Sequence, residues 1–189
     1  MQTTETTNGN LHSAAPGLLA KSRGTLSEAC AVDAKITAII GNEYPKTVIE
    51  LLRTAQRSID IAAYTWKWYE HQANSAMQRI NYAVIEKARH GVKVRARFNH
   101  EHKDHCLTKE NTRTAQALRR YKVETRFDGT EVMSHLKLII IDNEIAILGS
   151  HNLSARSVTQ NNETSIVIFG RESVKRFVNY FDLLWTKQL

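Results

Sequence analysis

The chain of 189 residues is poor in cysteine, proline and glycine, with two, two and eight, and aromatic residues make up only 7% of it. Two cysteines, Cys30 and Cys106, cannot build a disulfide scaffold and suit a reducing cytoplasm. So little proline and glycine excludes collagen-like and low-complexity chains. Long apolar runs are also missing. Stretches such as Leu138–Ile141 and Ile145–Leu148 fall far short of the roughly 18 residues that a membrane span needs. The first residues, Met1-Gln-Thr-Thr-Glu-Thr-Thr-Asn8, have neither the basic start nor the apolar stretch of a secretory leader, so the expected location is cytoplasmic. Acidic residues are in the minority, 19 against 26 Lys and Arg, for a net charge of +7. That surplus favours a polyanionic partner, nucleic acid or anionic lipid.

What is present is the composition of a folded protein, 42% hydrophobic and 24% charged, of a length that suits one domain with a tail. Residues 1–32, rich in Thr, Ser, Ala, Asn and Gly, read as a flexible N-terminal tail with a short helix near Leu18–Ala20. Residues 33–189 read as one catalytic domain in which strands alternate with helices. A first strand over Ile36–Ile40 leads to a helix capped by Asn42, with Val48, Leu51, Leu52 and Ala55 on one face. A strand Ile59–Trp66 and a helix through Met77–Ala88, stopped at Gly91, come next. Val92–Phe98 alternates cleanly as a third strand. Beyond a His-rich loop, a helix over Thr112–Arg120 and a short strand Val123–Phe127 are expected. His135–Asp142, Ile145–Ser150 and Thr164–Phe169 complete the strands, and a closing helix carries Val174, Phe177, Val178, Phe181, Leu184 and Trp185 on one face. The fold class this predicts is α/β, a mixed β-sheet flanked by helices on both faces.

The chemistry concentrates in residues 134–152. Residues two apart on a strand share a face, so His135 and Lys137 point the same way. With Asn143-Glu144 as a two-residue hairpin turn, pairing sets Lys137 opposite Ser150 and His135 opposite Asn152, and a one-residue shift of the turn would change the partners but keep the groups adjacent. Imidazole, ammonium, hydroxyl and carboxamide then converge on one patch. Such a patch offers a nucleophile or base among hydrogen-bond donors, which suits a phosphate whose oxygens gain charge during displacement. Singly, each of these residues would read as ordinary surface or turn. The ordered spacing His135-x-Lys137, four residues, Asp142, six residues, Gly149-Ser150-x-Asn152 is much harder to reach by chance, and His-x-Lys occurs at no other of the eight histidines.

That spacing resembles the signature of the phospholipase D superfamily, and the resemblance runs from about residue 34 to the C-terminus. A single copy in so short a chain resembles the small bacterial endonuclease branch and its mitochondrial relatives, which work as homodimers. The resemblance implies a metal-independent phosphodiesterase without a cofactor. One imidazole cannot both attack phosphorus and protonate the leaving oxygen, so two His135 side chains, one from each protomer, are expected to flank one phosphate. Lys137 and Asn152 would clamp the non-bridging oxygens with help from Ser150, and Glu163 would bind the far ring nitrogen of His135. Asp142 is counted with the catalytic set but is expected to shape the hairpin and balance Lys137.

Nucleic acid, DNA or RNA, is the expected partner. The rival readings are a phospholipid phosphodiesterase or phosphatidyl transferase, and a binding module without activity. Trp68, beside Lys67, suits stacking on unpaired bases, and Arg119 and Arg120 are candidate phosphate contacts. His100, His102, His105 and Cys106 crowd into seven residues, yet their spacing fits no common structural zinc pattern. His100 and His102 are therefore read as members of a polar loop on the substrate side, and no metal is expected.

Overall fold

A computed structural model describes residues 32–187, so the tail, the short helix near Leu18–Ala20 and Cys30 lie outside the described residues. Period-two apolar segments form seven strands: β1 (Lys35–Ile40), β2 (Ser58–Ala63), β3 (Lys93–Phe98), β4 (Glu124–Phe127), β5 (Lys137–Ile141), β6 (Ile145–Gly149) and β7 (Thr164–Phe169). They join in one mixed sheet, in the order β1-β7-β6-β5-β2-β3-β4. Strands β2, β3 and β4 are parallel, and the remaining pairs are antiparallel. The helices are α1 (Tyr44–Thr54), α2 (Ala76–Arg89), α3 (Cys106–Arg119), α4 (Ala155–Thr159) and α5 (Arg171–Thr186).

Strand alternation sorts the core into two layers. Ile59, Ile61, Ile139 and Ile141 meet Val48, Leu52, Ile80 and Leu118 from α1, α2 and α3 on one face. Ala62, Leu138 and Ile140 meet Val174, Phe181 and Trp185 of α5 on the other. Burying a side chain of this size is worth about 1.5–3 kcal/mol each. On the α5 side, Arg95 forks onto both carboxylate oxygens of Asp60 at 2.6 and 2.7 Å, reaches Asp182 at 2.8 Å, and stacks on Phe181. Among the described residues no helix is long and apolar enough to cross a membrane.

Several boundaries differ from the sequence-based expectation. Helix α1 starts at Tyr44 after a 3-10 turn over Gly41–Glu43, so Asn42 is not its cap. Gly41, at φ +51°, instead turns the chain and donates its N–H to the Glu163 carbonyl at 2.9 Å. Strand β2 ends at Ala63, and Trp66 turns fully inward and bridges to Leu153. Helix α3 begins six residues earlier than expected, at Cys106 rather than Thr112, because its buried face is partly polar (Thr108, Asn111, Thr114). The β5–β6 hairpin pairs Ile141 with Ile145 and Leu138 with Leu148. Asp142 and Asn143 both take positive φ (53° and 59°), and the register slips by one, setting Lys137 level with Gly149 rather than Ser150.

Candidate active site

The site forms where β2 ends and β5 begins. These strands are antiparallel neighbours with Ala63 facing Lys137, and the Tyr64 N–H extends the ladder by donating to the Leu136 carbonyl at 2.7 Å. His135 hangs just beyond the strand, exposed. The Tyr64 ring meets the His135 ring edge-on with centroids 4.5 Å apart, and the Lys137 ammonium lies 4.9 Å from its centre. Lys137 Nζ also donates to the His135 carbonyl at 3.0 Å. His135 and Lys137 thus share one side, as expected, with an unanticipated tyrosine between them. Partial burial lowers the Lys137 pKa, and the Glu163 charge opposes that shift. The ammonium is therefore partly desolvated, and an anion beside it would favour its charged form.

Buried amides brace this corner from behind. Asn111 accepts from the Trp66 N–H and donates to the Tyr64 and Asn99 carbonyls, all at 2.9 Å. Asn99 Oδ1 in turn accepts from the Ser134 N–H at 2.7 Å, next to His135.

The second arm follows β6. Gly149 packs against β7 so closely that a Cβ would overlap the Cα and Oγ of Ser165 and the Thr164 carbonyl, which is why glycine stands there. Beyond it Ser150, His151 and Asn152 alternate. Ser150 is tied to Thr164, its N–H donating to the Thr164 carbonyl at 2.9 Å and its Oγ accepting from the Thr164 N–H at 3.1 Å. His151 points inward and is fully buried, its ring stacked on Tyr44 at 4.2 Å. Its Nε2 lies 3.0 Å from the Gly41 carbonyl, which can only accept, so Nε2 carries the proton and Nδ1 accepts from Ser165 Oγ at 2.8 Å. Burial lowers its pKa, keeping the ring neutral, against the Gly41 hydrogen bond and the Glu163 charge. Asn152 is anchored by its N–H to Ser157 Oγ at 2.8 Å. Its Oδ1 is buried without a donor, and its side-chain nitrogen donates to no group among the described residues.

One expectation is corrected, that Asp142 balances Lys137. Within the single chain Glu163 makes no hydrogen bond to His135. Its carboxylate takes Ser157 Oγ–H at 3.0 Å and the Asn161 amide at 3.2 Å. Burial pushes its pKa up, but hydrogen bonds from Ser150, Asn161 and Ser157 and the nearby His151 outweigh that and hold it low. Asp142 sits at the far end of β5, about 16 Å along the strand from Lys137, so it does not balance that charge. Its carboxylate accepts the backbone N–H groups of Gln56, Arg57 and Ser58 at 2.8, 2.7 and 2.8 Å, and so ties the hairpin to the start of β2. Arg119 is exposed and donates through its Nε to Thr125.

His100 follows the end of β3 with its ring edge-on to Phe127, and His102 is exposed against His105. His105 caps α3, Nδ1 accepting from the Leu107 N–H at 3.3 Å. Among the described residues no group of three or more His, Cys, Asp or Glu is arranged to hold a metal. Trp68 and Arg120 line one groove. Sequence reasoning missed Tyr64, Asn99, Asn111 and Ser157. For Asn111 the available signal was polar residues at helical spacing on an otherwise buried face.

An exposed imidazole beside a partly buried ammonium, at the strand ends of an α/β sheet, is chemistry that can hold an anion and attack it. The match to known proteins is specific. Residues 48–185 match the family model described as cardiolipin synthase, PLD-like domain, and the chain belongs to that family, in the phospholipase D superfamily of phosphodiester-cleaving enzymes. It is 26% identical over 161 residues to the virion nicking-joining enzyme of vaccinia virus (strain Western Reserve), covering 79% of this chain and 36% of that protein. To the mitochondrial cardiolipin hydrolase of Chlamydomonas reinhardtii it is 28% identical over 137 residues, covering 72% and 55%. The chain thus spans about a third to a half of the length of these curated relatives. Among solved structures, its fold resembles that of Nuc, a phospholipase D family member from Salmonella typhimurium, with TM-score 0.66 and 19% identity over 80% of this chain and 95% of that one.

Proposed function

We propose that the chain hydrolyses phosphodiester bonds of nucleic acid with little sequence preference, needing no metal or cofactor, at a site completed by a second copy. The observation that carries this reading is the exposed His135 set beside Lys137 against the Tyr64 ring, in a chain of net charge +7. A ring nitrogen of one His135 attacks phosphorus. The P–O bond to the leaving group breaks, and the partner's His135 protonates that oxygen. The partner's His135 then takes a proton from water, which attacks the phosphohistidine and breaks its P–N bond. The products are a phosphomonoester and an alcohol, with both imidazoles restored. Lys137 and Asn152 from each chain hold the non-bridging oxygens, and their cationic and N–H groups supply the charge stabilisation. One imidazole must be neutral while the other is protonated, so turnover follows a bell-shaped pH profile that belongs to the pair.

The test is a panel of plasmid, single-stranded oligonucleotide, RNA and phospholipid substrates in EDTA. Cleavage of nucleic acid that is lost in His135→Ala supports the reading. Activity on phospholipid alone replaces it with the lipid reading. Binding of nucleic acid with no turnover on any substrate replaces it with a binding module. Sedimentation is expected to show a dimer, and an active monomer would refute the shared site.

A further inference from the structure

The loop between β2 and α2 leaves the site at Tyr64, buries Trp66, and brings Trp68 onto the flank of α3. There Trp68, Glu70, His71, Arg113, Gln116 and Arg120 line a groove of about 420 Å³. We propose that this groove is a track for an unpaired nucleic-acid strand running away from the catalytic corner, with a base stacked on Trp68 and phosphates on Arg113 and Arg120. The inference rests on the nucleic-acid reading above and adds the kind of strand that the site serves.

Trp68 is half-buried. It packs against the core and meets Tyr82 edge-on at 6.4 Å, so the indole is a fixed plate that needs no ordering on binding. Arg113 on α3 and Arg120 at its C-terminal cap are exposed and stand two turns apart, about 10 Å along the axis. Arg120 makes no ion pair among the described residues, and Arg113 has only a 3.4 Å contact with Glu110. Glu70 is the one carboxylate among the lining residues and lies on the loop wall, which directs phosphates to the α3 wall. One loop joins the groove wall to the site, since Tyr64 and Trp68 stand four residues apart on it. Arg113 is two residues from Asn111, whose side chain holds the Tyr64 carbonyl, and the Tyr64 ring touches His135. Stacking demands an exposed base face, which a single strand has and a duplex lacks. The groove therefore favours the single strand.

The test is equilibrium binding in a His135→Ala background, where nothing is cut, to a fluorescently labelled thymidine oligonucleotide and to a duplex of the same length. Trp68→Ala is expected to weaken strand binding about tenfold to a hundredfold while duplex binding changes little, and Trp68→Phe to restore most of the loss. Arg113→Glu with Arg120→Glu, at exposed positions that folding does not need, is expected to weaken strand binding and lower the salt slope by about 1.4. The intrinsic fluorescence of the His135→Ala protein is expected to be quenched by the strand, because Trp66 and Trp185 are buried and only Trp68 is open. If both sets of variants bind the strand as tightly as the His135→Ala parent, the groove is not the track and the nucleic-acid reading stands. If that parent binds neither strand nor duplex, the nucleic-acid reading itself fails and takes the track with it.

Discussion

Replacing Asp142 separates chemistry from architecture within the signature. Its carboxylate accepts three backbone N–H groups at 2.7–2.8 Å. A hydrogen bond to a charged acceptor is worth about 1.5–3 kcal/mol. Gln56 and Arg57 are exposed, so water takes over much of their loss, whereas the bond from Ser58 is partly buried and has no ready substitute. Asp142→Ala is therefore expected to cost about 2–3 kcal/mol. With a urea slope of about 2.5 kcal/mol/M, that moves the unfolding midpoint down by about 1 M. Asp142→Asn keeps one acceptor oxygen and is expected to cost about half as much. Burial raises the Asp142 pKa, but the N–H groups of Ser58, Gln56 and Arg57 and the Arg57 charge outweigh it, so the folded value lies below the ordinary one. A depressed carboxyl stabilises the fold above its unfolded pKa of about 3.9 and loses that contribution as pH falls through the folded value. The stability gap between the parent and Asp142→Asn is thus expected to narrow below about pH 4. The assay pairs urea unfolding, followed by fluorescence, with turnover per folded molecule. An Asp142→Asn protein within about 0.5 kcal/mol of the parent but without turnover would refute the reasoning and return Asp142 to the chemistry.

Two further substitutions probe the corner itself. Gly149→Ala forces β6 away from Ser165 and Thr164 and is expected to cost about 3 kcal/mol in thermal or urea unfolding; a variant of parental stability would mean that β7 yields easily. Tyr64→Phe keeps the ring against His135 and Lys137 and should leave kcat within about threefold, whereas Tyr64→Ala should lower it about tenfold to a hundredfold with KM nearly unchanged. Equal kcat for Tyr64→Ala and the parent would make the ring contact incidental.

How far the sequence could be read depended on whether a residue acts through its neighbours in the chain or across the sheet. The strands β3, β5 and β6 were legible because alternation survives in Val92–Phe98 and because Leu138–Ile141 and Ile145–Leu148 are short unbroken apolar runs, as strands buried on both faces are. His135 and Lys137 fell on one side as period two requires. The hairpin register slipped because Asp142 and Asn143 both adopt left-handed backbone, a choice that the Asn-Glu pair did not advertise. Helix α3 was foreshortened because hydrophobic spacing says nothing of a buried asparagine that spends its amide on the Tyr64 and Asn99 carbonyls. The contacts that Glu163 makes within the chain were illegible for a similar reason. Its companions Ser150, Ser157 and Asn161 are polar residues of a kind found on any surface, and only the folded chain shows them converging on one carboxylate.

The antiparallel seam between β2 and β5 has a kinetic consequence. Tyr64 and His135 lie 71 positions apart in the chain, yet they touch because one residue follows Ala63 and the other stands two before Lys137 in facing strands. Helices α2 and α3 and the parallel strand β3 all lie within the loop that this seam closes, and closing a long loop is the slow, entropically costly part of assembling a sheet. The Tyr64–His135 contact is then a clock for that closure: during refolding it lags behind the return of helical signal and forms with the long-range pairing of β2 and β5.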